Sequence, residues 1–338
     1  VTAPFTYVRV TGDADAALDT ATPGSQLLAG GTNLLDMMRL GVVSPTRLLD
    51  ISRLASSGPW GRVEETDGGL SIGALVRNSD LAYHPVVRAR FPVLSQALLS
   101  GASPQLRNMA TTAGNVMQRT RCPYFRDIGV PACNKRNPGS GCAAWDGFAR
   151  PHAILGGSRD CIAVHPSDMC VALVALDAIV HVRGHYGAGE GLTERQIAIA
   201  DFHLVPGSTP SRETTIGPGE LITRVVLPAT PFAARSAYVK ARDRASYAFA
   251  LASAGVALHL EGGKIRDARV ALGGVATKPW RSHEAERVLA GHEPTGALFE
   301  RAADAALADA QPRPDNRFKV PLAKATIVRA LTRAREAT

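Results

Sequence analysis

The stretch that organises the chain opens with Thr111-Thr112-Ala113-Gly114-Asn115 and closes with Pro166-Ser167-Asp168, and Cys122, Cys133, Cys142 and Cys161 lie between these two turns. The segment they enclose is dense in Pro, Gly, Arg and Asn and too irregular to hold itself together. Its thiols are the natural fastening, because a metal centre can fix a loop that hydrophobic burial cannot.

The spacing Cys122-x10-Cys133-x8-Cys142-x18-Cys161 contains no C-x-x-C pair, which disfavours a zinc ribbon or finger. An iron-sulfur cluster does not require that pair, although the familiar ferredoxin runs have it. On spacing alone a cluster, a zinc ion and structural or redox thiols all remain open. From Arg119 to Cys161 there are seven basic residues against three acidic ones. That surplus would offset the negative charge that four thiolates bring to a partly buried cluster. Cys170 is different. It falls in Ser167-Asp168-Met169-Cys170-Val171-Ala172-Leu173, which reads as a core helix capped by Ser167, so it is left out of the ligand set.

Toward the N-terminus, Gln26-Leu27-Leu28-Ala29 reads as a buried strand running into Gly30-Gly31-Thr32-Asn33, with a helix over 34–40. Two adjacent glycines let the backbone turn tightly and aim successive N–H groups inward, which suits an anionic diphosphate. An ordinary tight turn fits the same residues. Further strands are expected at 5–10, 47–51, 70–74, 178–183 and 220–228. Helices are expected at 13–20 and at 85–99, the second split or kinked at Pro92. Beyond a boundary at 228–232, the segments 236–240, 254–260 and 265–274 read as an antiparallel sheet with Glu261-Gly262-Gly263-Lys264 as a hairpin turn. Helices follow at 282–290, 295–310 and 322–335.

The 338 residues suit two domains, and a 45% hydrophobic, 20% charged composition is that of a globular protein. The net charge of +8 is spread without a run of five basic residues, so no nucleic-acid partner is expected. No stretch of eighteen apolar residues occurs, and membrane insertion is not expected. The first residues lack a signal-peptide pattern. The cytoplasm is therefore expected, or the periplasm by co-export with a signal-bearing partner. There is no H-E-x-x-H, no G-x-S-x-G and no acid/base constellation among nine scattered histidines, so no catalytic residue is assigned. His84, His152 and His165 read as turn or surface residues.

Taken together, Leu28-Ala29-Gly30-Gly31-Thr32-Asn33-Leu34, Thr111-x-x-Gly114-Asn115, Pro166-Ser167-Asp168 and Tyr238-Val239-Lys240 resemble the FAD-binding medium subunit of the molybdenum hydroxylase and xanthine dehydrogenase family. The resemblance covers nearly the whole chain, and the four motifs in this order are far more specific than any one. Most relatives pass directly from the Gly-Asn turn to the Ser-Asp turn. Here the cysteine loop is inserted, and it is most similar to the 4Fe-4S-containing flavin subunits of bacterial periplasmic aldehyde oxidoreductases. One departure is Ala113, where many relatives carry a second glycine; a methyl group is tolerable there only if the backbone does not need positive φ.

The resemblance implies an α+β architecture: a two-subdomain FAD-binding domain over 1–228, carrying the iron-sulfur insertion at 119–163, then a smaller domain over 229–338 with a three-stranded antiparallel sheet against helices. It implies that Leu28, Ala29, Gly30, Gly31, Thr32, Asn33 and Leu34 wrap the FAD diphosphate, while Thr111, Gly114 and Asn115 support diphosphate and ribityl. Asp168 would accept near the adenosine ribose, Ile222 would lie against a ring, and Lys240 would sit near the isoalloxazine. Cys122, Cys133, Cys142 and Cys161 would ligate a 4Fe-4S cluster. A large subunit with the molybdenum cofactor and a small 2Fe-2S subunit are the implied partners. The implied work is electron transfer in an aldehyde oxidoreductase, from the partner's 2Fe-2S clusters through FAD to an external acceptor. The alternatives are the reductive direction, as in 4-hydroxybenzoyl-CoA reductase, and a stand-alone flavin oxidase.

Overall fold

The structure is a computed structural model describing residues 3–11, 21–184 and 193–337. The helix expected at 13–20 lies outside the described residues.

Three sheets form the frame. In the first, β1 (Thr6–Arg9) and β2 (Ser25–Leu28) both run parallel to a central β3 (Arg47–Asp50). The second comprises β4 (Val63–Thr66), β5 (Gly69–Gly73), β6 (Ile179–Gly184), β7 (Thr193–Ala198) and β8 (Leu221–Leu227), in the order β4-β5-β8-β6-β7 with every pair antiparallel. Its centre is β8, whose Leu-Ile-Thr-Arg-Val-Val-Leu run is β-branched and buried along most of its length. The strands β4 and β7 are polar and were not expected from the sequence. They are the two edges, where one side of the ladder faces no partner and charged side chains blunt further pairing.

The third sheet joins β9 (Ser236–Ala241), β10 (Ala252–Glu261), β11 (Lys264–Gly273) and β12 (Trp280–Arg281) in the order β12-β11-β10-β9. It therefore has four strands, not the three expected; β12 is only two residues long, too short to show an alternating pattern. Helices His283–Leu289, Gly296–Ala306 and Lys319–Glu336 cover it and share one core with it.

A larger core lies between the first two sheets and the helices Pro92–Ser100 and Asp168–Ala175. Pro92 does split the expected long helix, leaving Pro85–Arg90 and Pro92–Ser100 on either side of Phe91. All eight residues of Asp168–Ala175 are buried, with the Ser167 hydroxyl capping the Cys170 N–H at 3.0 Å. That helix approaches the third sheet so closely that a Cβ on Gly273 would fall 2.5 Å from a Val171 methyl carbon. By contrast, the cysteine loop owns only small buried groups, Phe125 and Cys133 with Met37 in one, Ala144, Ala149 and Ile162 in another. Its Ile154 and Leu155 are borrowed by the core of the third sheet.

Candidate functional site

The strand β2 ends at Leu28 and the chain turns through Gly30-Gly31 into a short helix, Leu34–Arg39. Gly31 sits at φ +70°, and a Cβ on Gly30 would lie 1.9 Å from the Met109 carbonyl oxygen, so neither position accepts a side chain without backbone movement. The Thr111 hydroxyl caps the short helix Thr112–Val116 by accepting from the Gly114 N–H at 3.3 Å. Ala113 lies inside that helix without a positive φ, which is why a methyl group is accommodated there.

Both turns line one cleft of about 780 Å³. Its wall includes Ala29, Gly30, Gly31, Thr32, Asn33, Leu34, Thr111, Gly114 and Ile222, together with Thr120, Lys135, His165 and His203. The Asn33 Oδ1 accepts from the Arg119 N–H at 3.2 Å, and its buried Nδ2 has no partner among the described residues. An orphaned amide donor beside a glycine turn fits an anionic group such as a diphosphate. Leu28 and Asn115 are not part of this wall. Asn115 instead accepts from the Ser167 hydroxyl at 2.7 Å, tying the two turns of the organising stretch together.

Asp168 borders a smaller cavity of about 200 Å³, also bordered by Cys122 and His152, which shares Thr120, Val164 and His165 with the cleft. Its Oδ2 pairs with Lys240 Nζ at 2.8 Å and its Oδ1 accepts from the Tyr238 hydroxyl at 2.5 Å. Lys240 lines neither cavity. No sequence signal marks His203, which donates from Nε2 to the Val116 carbonyl at 2.9 Å and is pushed down to about 4 by burial.

Cys122, Cys133, Cys142 and Cys161 are all free thiols and line one pocket. Cys133 and Cys142 face each other across an antiparallel bridge. Asn134 ties the segments, accepting from the Gly141 N–H at 2.8 Å and donating to the Asp160 carbonyl at 3.2 Å. Among the described residues no three of these sulfurs fall within 4.8 Å of one another, whereas four around a single zinc would sit about 3.8 Å apart. Burial pushes Cys122 up to about 12 and Cys161 to about 11, with neighbouring thiols adding repulsion, and Cys142 is raised for the same reason. Backbone N–H groups of Tyr124 and Phe125 at Cys122, and of Ala163 at Cys161, oppose this by favouring the thiolate.

The basic surplus of the loop is met from outside it. Arg121 and Arg126 reach Asp36 at 2.6 and 2.8 Å, Arg119 and Lys135 reach Glu213, and Arg150 reaches Asp243 at 2.7 Å. Several of these cations therefore staple the loop to neighbouring elements. His152, expected at a turn or surface, is only 1% exposed and its Nε2 lies 3.2 Å from Cys122 Sγ.

Residues 4–230 match the family model described as the FAD binding domain in molybdopterin dehydrogenase, and residues 236–334 match the CO dehydrogenase flavoprotein C-terminal domain. The chain belongs to the FAD-binding medium subunits of the molybdenum hydroxylases. It is 52% identical over 333 residues, 98% of each chain, to the aldehyde oxidoreductase FAD-binding subunit PaoB of Escherichia coli (strain K12). It is 28% identical to the glyceraldehyde dehydrogenase medium chain of Sulfolobus acidocaldarius, covering 93% of this chain and 90% of that one. Among solved structures, a chain of the carbon monoxide dehydrogenase from Hydrogenophaga pseudoflava superposes with a TM-score of 0.74 at 26% identity, covering 100% of this chain and 99% of that one. As a medium subunit of this family, the chain is part of an oxidoreductase whose catalytic site lies on partner chains. No helix among the described residues is long and apolar enough to cross a membrane.

Proposed function

We propose that this medium subunit carries FAD in the large cleft and a 4Fe-4S cluster on Cys122, Cys133, Cys142 and Cys161, in a heteromeric molybdenum hydroxylase that oxidises aldehydes. The cluster loop, 119–163, is inserted in an FAD-binding domain over 1–228, followed by a C-terminal domain over 229–338. The observation that carries this reading is a shared wall: Lys135 and Ala163 border both the cleft and the thiol pocket. Two redox groups so placed would be near neighbours within one chain. Four free thiols lining one pocket support a metal core there, and the aldehyde assignment rests on the near full-length likeness to PaoB.

When bound, FAD takes up electrons singly and releases them in pairs, which suits it to link clusters with a two-electron acceptor. The residues of this chain would bind and orient. The Gly30-Gly31 turn and the Asn33 amide would hold the diphosphate, Thr111 and Gly114 would support the chain beyond it, and Ile222 would cover a ring. Asp168 and Lys240 lie outside the cleft wall and pair with each other at 2.8 Å, so they would brace the surroundings of the cleft and not reach the adenosine and isoalloxazine ends of FAD separately. Electrons would enter from the 2Fe-2S clusters of a small partner subunit and leave to an external acceptor.

The test is to purify the complex with its large and small subunits and measure flavin, iron and visible absorbance. Flavin with about four irons beyond those of the small subunit supports the reading. Flavin without that iron, or zinc in its place, overturns the cluster assignment.

A further inference from the structure

His152 is not one of the four thiol ligands, yet it is aimed at one of them. Its Nε2 lies 3.2 Å from Cys122 Sγ and its ring is buried. A metal-bound thiolate has no proton to give and can only accept. With Cys122 as a cluster ligand, the contact would therefore be one in which Nε2 carries the proton and donates to the sulfur.

The residue is held from the C-terminal side of the molecule. Its carbonyl accepts from Lys319 Nζ at 2.9 Å and from Asn316 Nδ2 at 3.2 Å, and both donor residues are completely buried. Lys319 Nζ also donates to the Pro151 carbonyl at 3.1 Å and to the Gly274 carbonyl at 2.7 Å, which fixes Pro151-His152 against the end of β11. The loop that bears the thiols thus has one of its side chains set by the helix Lys319–Glu336 and the turn before it.

Resting on the cluster reading above, we infer that His152 is a positioning residue that donates an Nε2–H···Sγ hydrogen bond to Cys122 and thereby raises the reduction potential of the cluster. The physical reason is charge. Reduction adds an electron that is shared by the ligating sulfurs, and a donor at a sulfur stabilises the more negative state.

The experiment is potentiometric titration of the intact complex, followed by electron paramagnetic resonance, in the wild type, His152→Leu and His152→Gln. The Leu variant removes the donor, while Gln can return an N–H to about the same place. The expected result is a cluster potential lowered in His152→Leu by about tenfold in its reduction constant, or about 59 mV for one electron, and largely restored in His152→Gln. A full complement of iron with an unmoved potential in His152→Leu overturns the inference, and so does a Gln variant as low as Leu. Should His152→Leu lose its iron, pulsed double resonance on the wild-type complex labelled with 15N-histidine decides. Weak nitrogen coupling supports a hydrogen bond; the strong coupling of a ligating imidazole, or none, overturns it. Absence of cluster iron from the wild-type complex would remove the cluster reading itself, a result distinct from iron present with an unmoved potential.

Discussion

Lys240, on β9, holds Asp168, at the start of a helix in the FAD-binding domain, at 2.8 Å, and both side chains are almost wholly shielded from water. The pair is completed by the Tyr238 hydroxyl on the other carboxylate oxygen and by the Ser100 carbonyl, which accepts from Lys240 Nζ at 3.0 Å. It joins the third sheet to the helix that carries the Ser-Asp turn, so it fixes how the two cores meet.

Removing one partner would leave an uncompensated buried charge, at a cost of about 3–5 kcal/mol. Lys240→Met and Asp168→Leu are each expected to lower the unfolding free energy measured by urea titration by about that amount. The double variant Lys240→Met with Asp168→Leu should recover much of the loss. Additive losses in a double-mutant cycle would show that the two side chains do not depend on each other.

Gly30→Ala places a methyl group against the Met109 carbonyl and forces the turn to move. Flavin retained after desalting is expected to fall by about tenfold or more, an affinity loss of about 1.4 kcal/mol or greater, with far-ultraviolet circular dichroism unchanged. Gly296→Ala, where nothing lies within 4 Å of the added Cβ, is the matched control and should keep its flavin.

On the proposed cluster assignment, serine at Cys122, Cys133, Cys142 or Cys161 is expected to remove most of the iron held by this subunit in the purified complex. Cys170→Ser should keep it, because Cys170 lies in the core helix away from the thiol pocket. Its cost should appear instead as about 1–3 kcal/mol of stability, from burying a hydroxyl in an apolar site. Iron analysis and thermal unfolding separate the two outcomes.

His203 is held near 4 by burial, below its ordinary 6.5. Between those values the unfolded chain binds a proton that the folded chain does not, so stability is complete above about 6.5 and falls as the pH drops toward 4. Replacing it by Phe, which fills a similar volume without titrating, should flatten that part of the stability curve by up to about 3 kcal/mol. An identical pH dependence in wild type and His203→Phe would refute the assignment.

Much of the frame was legible because it rests on local chemistry. Glycines 30 and 31 mark a turn that no side chain can enter, Ser167 announces a helix start, and β9, β10 and β11 with their Gly262-Gly263 hairpin follow from alternation and turn residues. The edge strands β4 and β7 escaped because edges are written in polar residues, as loops are. His203 and Lys135 escaped because nothing in their neighbours in sequence tells that they border the cleft. His152 looked like a surface residue in a Pro-rich turn, and only the carbonyl contacts made by Asn316 and Lys319 bury it.

The sequence by itself determined which residues could bend, cap or ligate: the paired glycines, the Thr111 and Ser167 caps, and four thiols in a loop with scant apolar content. Only the tertiary structure decided which of these meet. It set the cleft and the thiol pocket on either side of Lys135 and Ala163, paired Asp168 with Lys240, and turned His152 onto Cys122. The physical reason is range. Turn and cap preferences act over a few neighbouring residues, whereas contacts between residues 30 to more than 160 positions apart are fixed by the packing of whole helices and sheets.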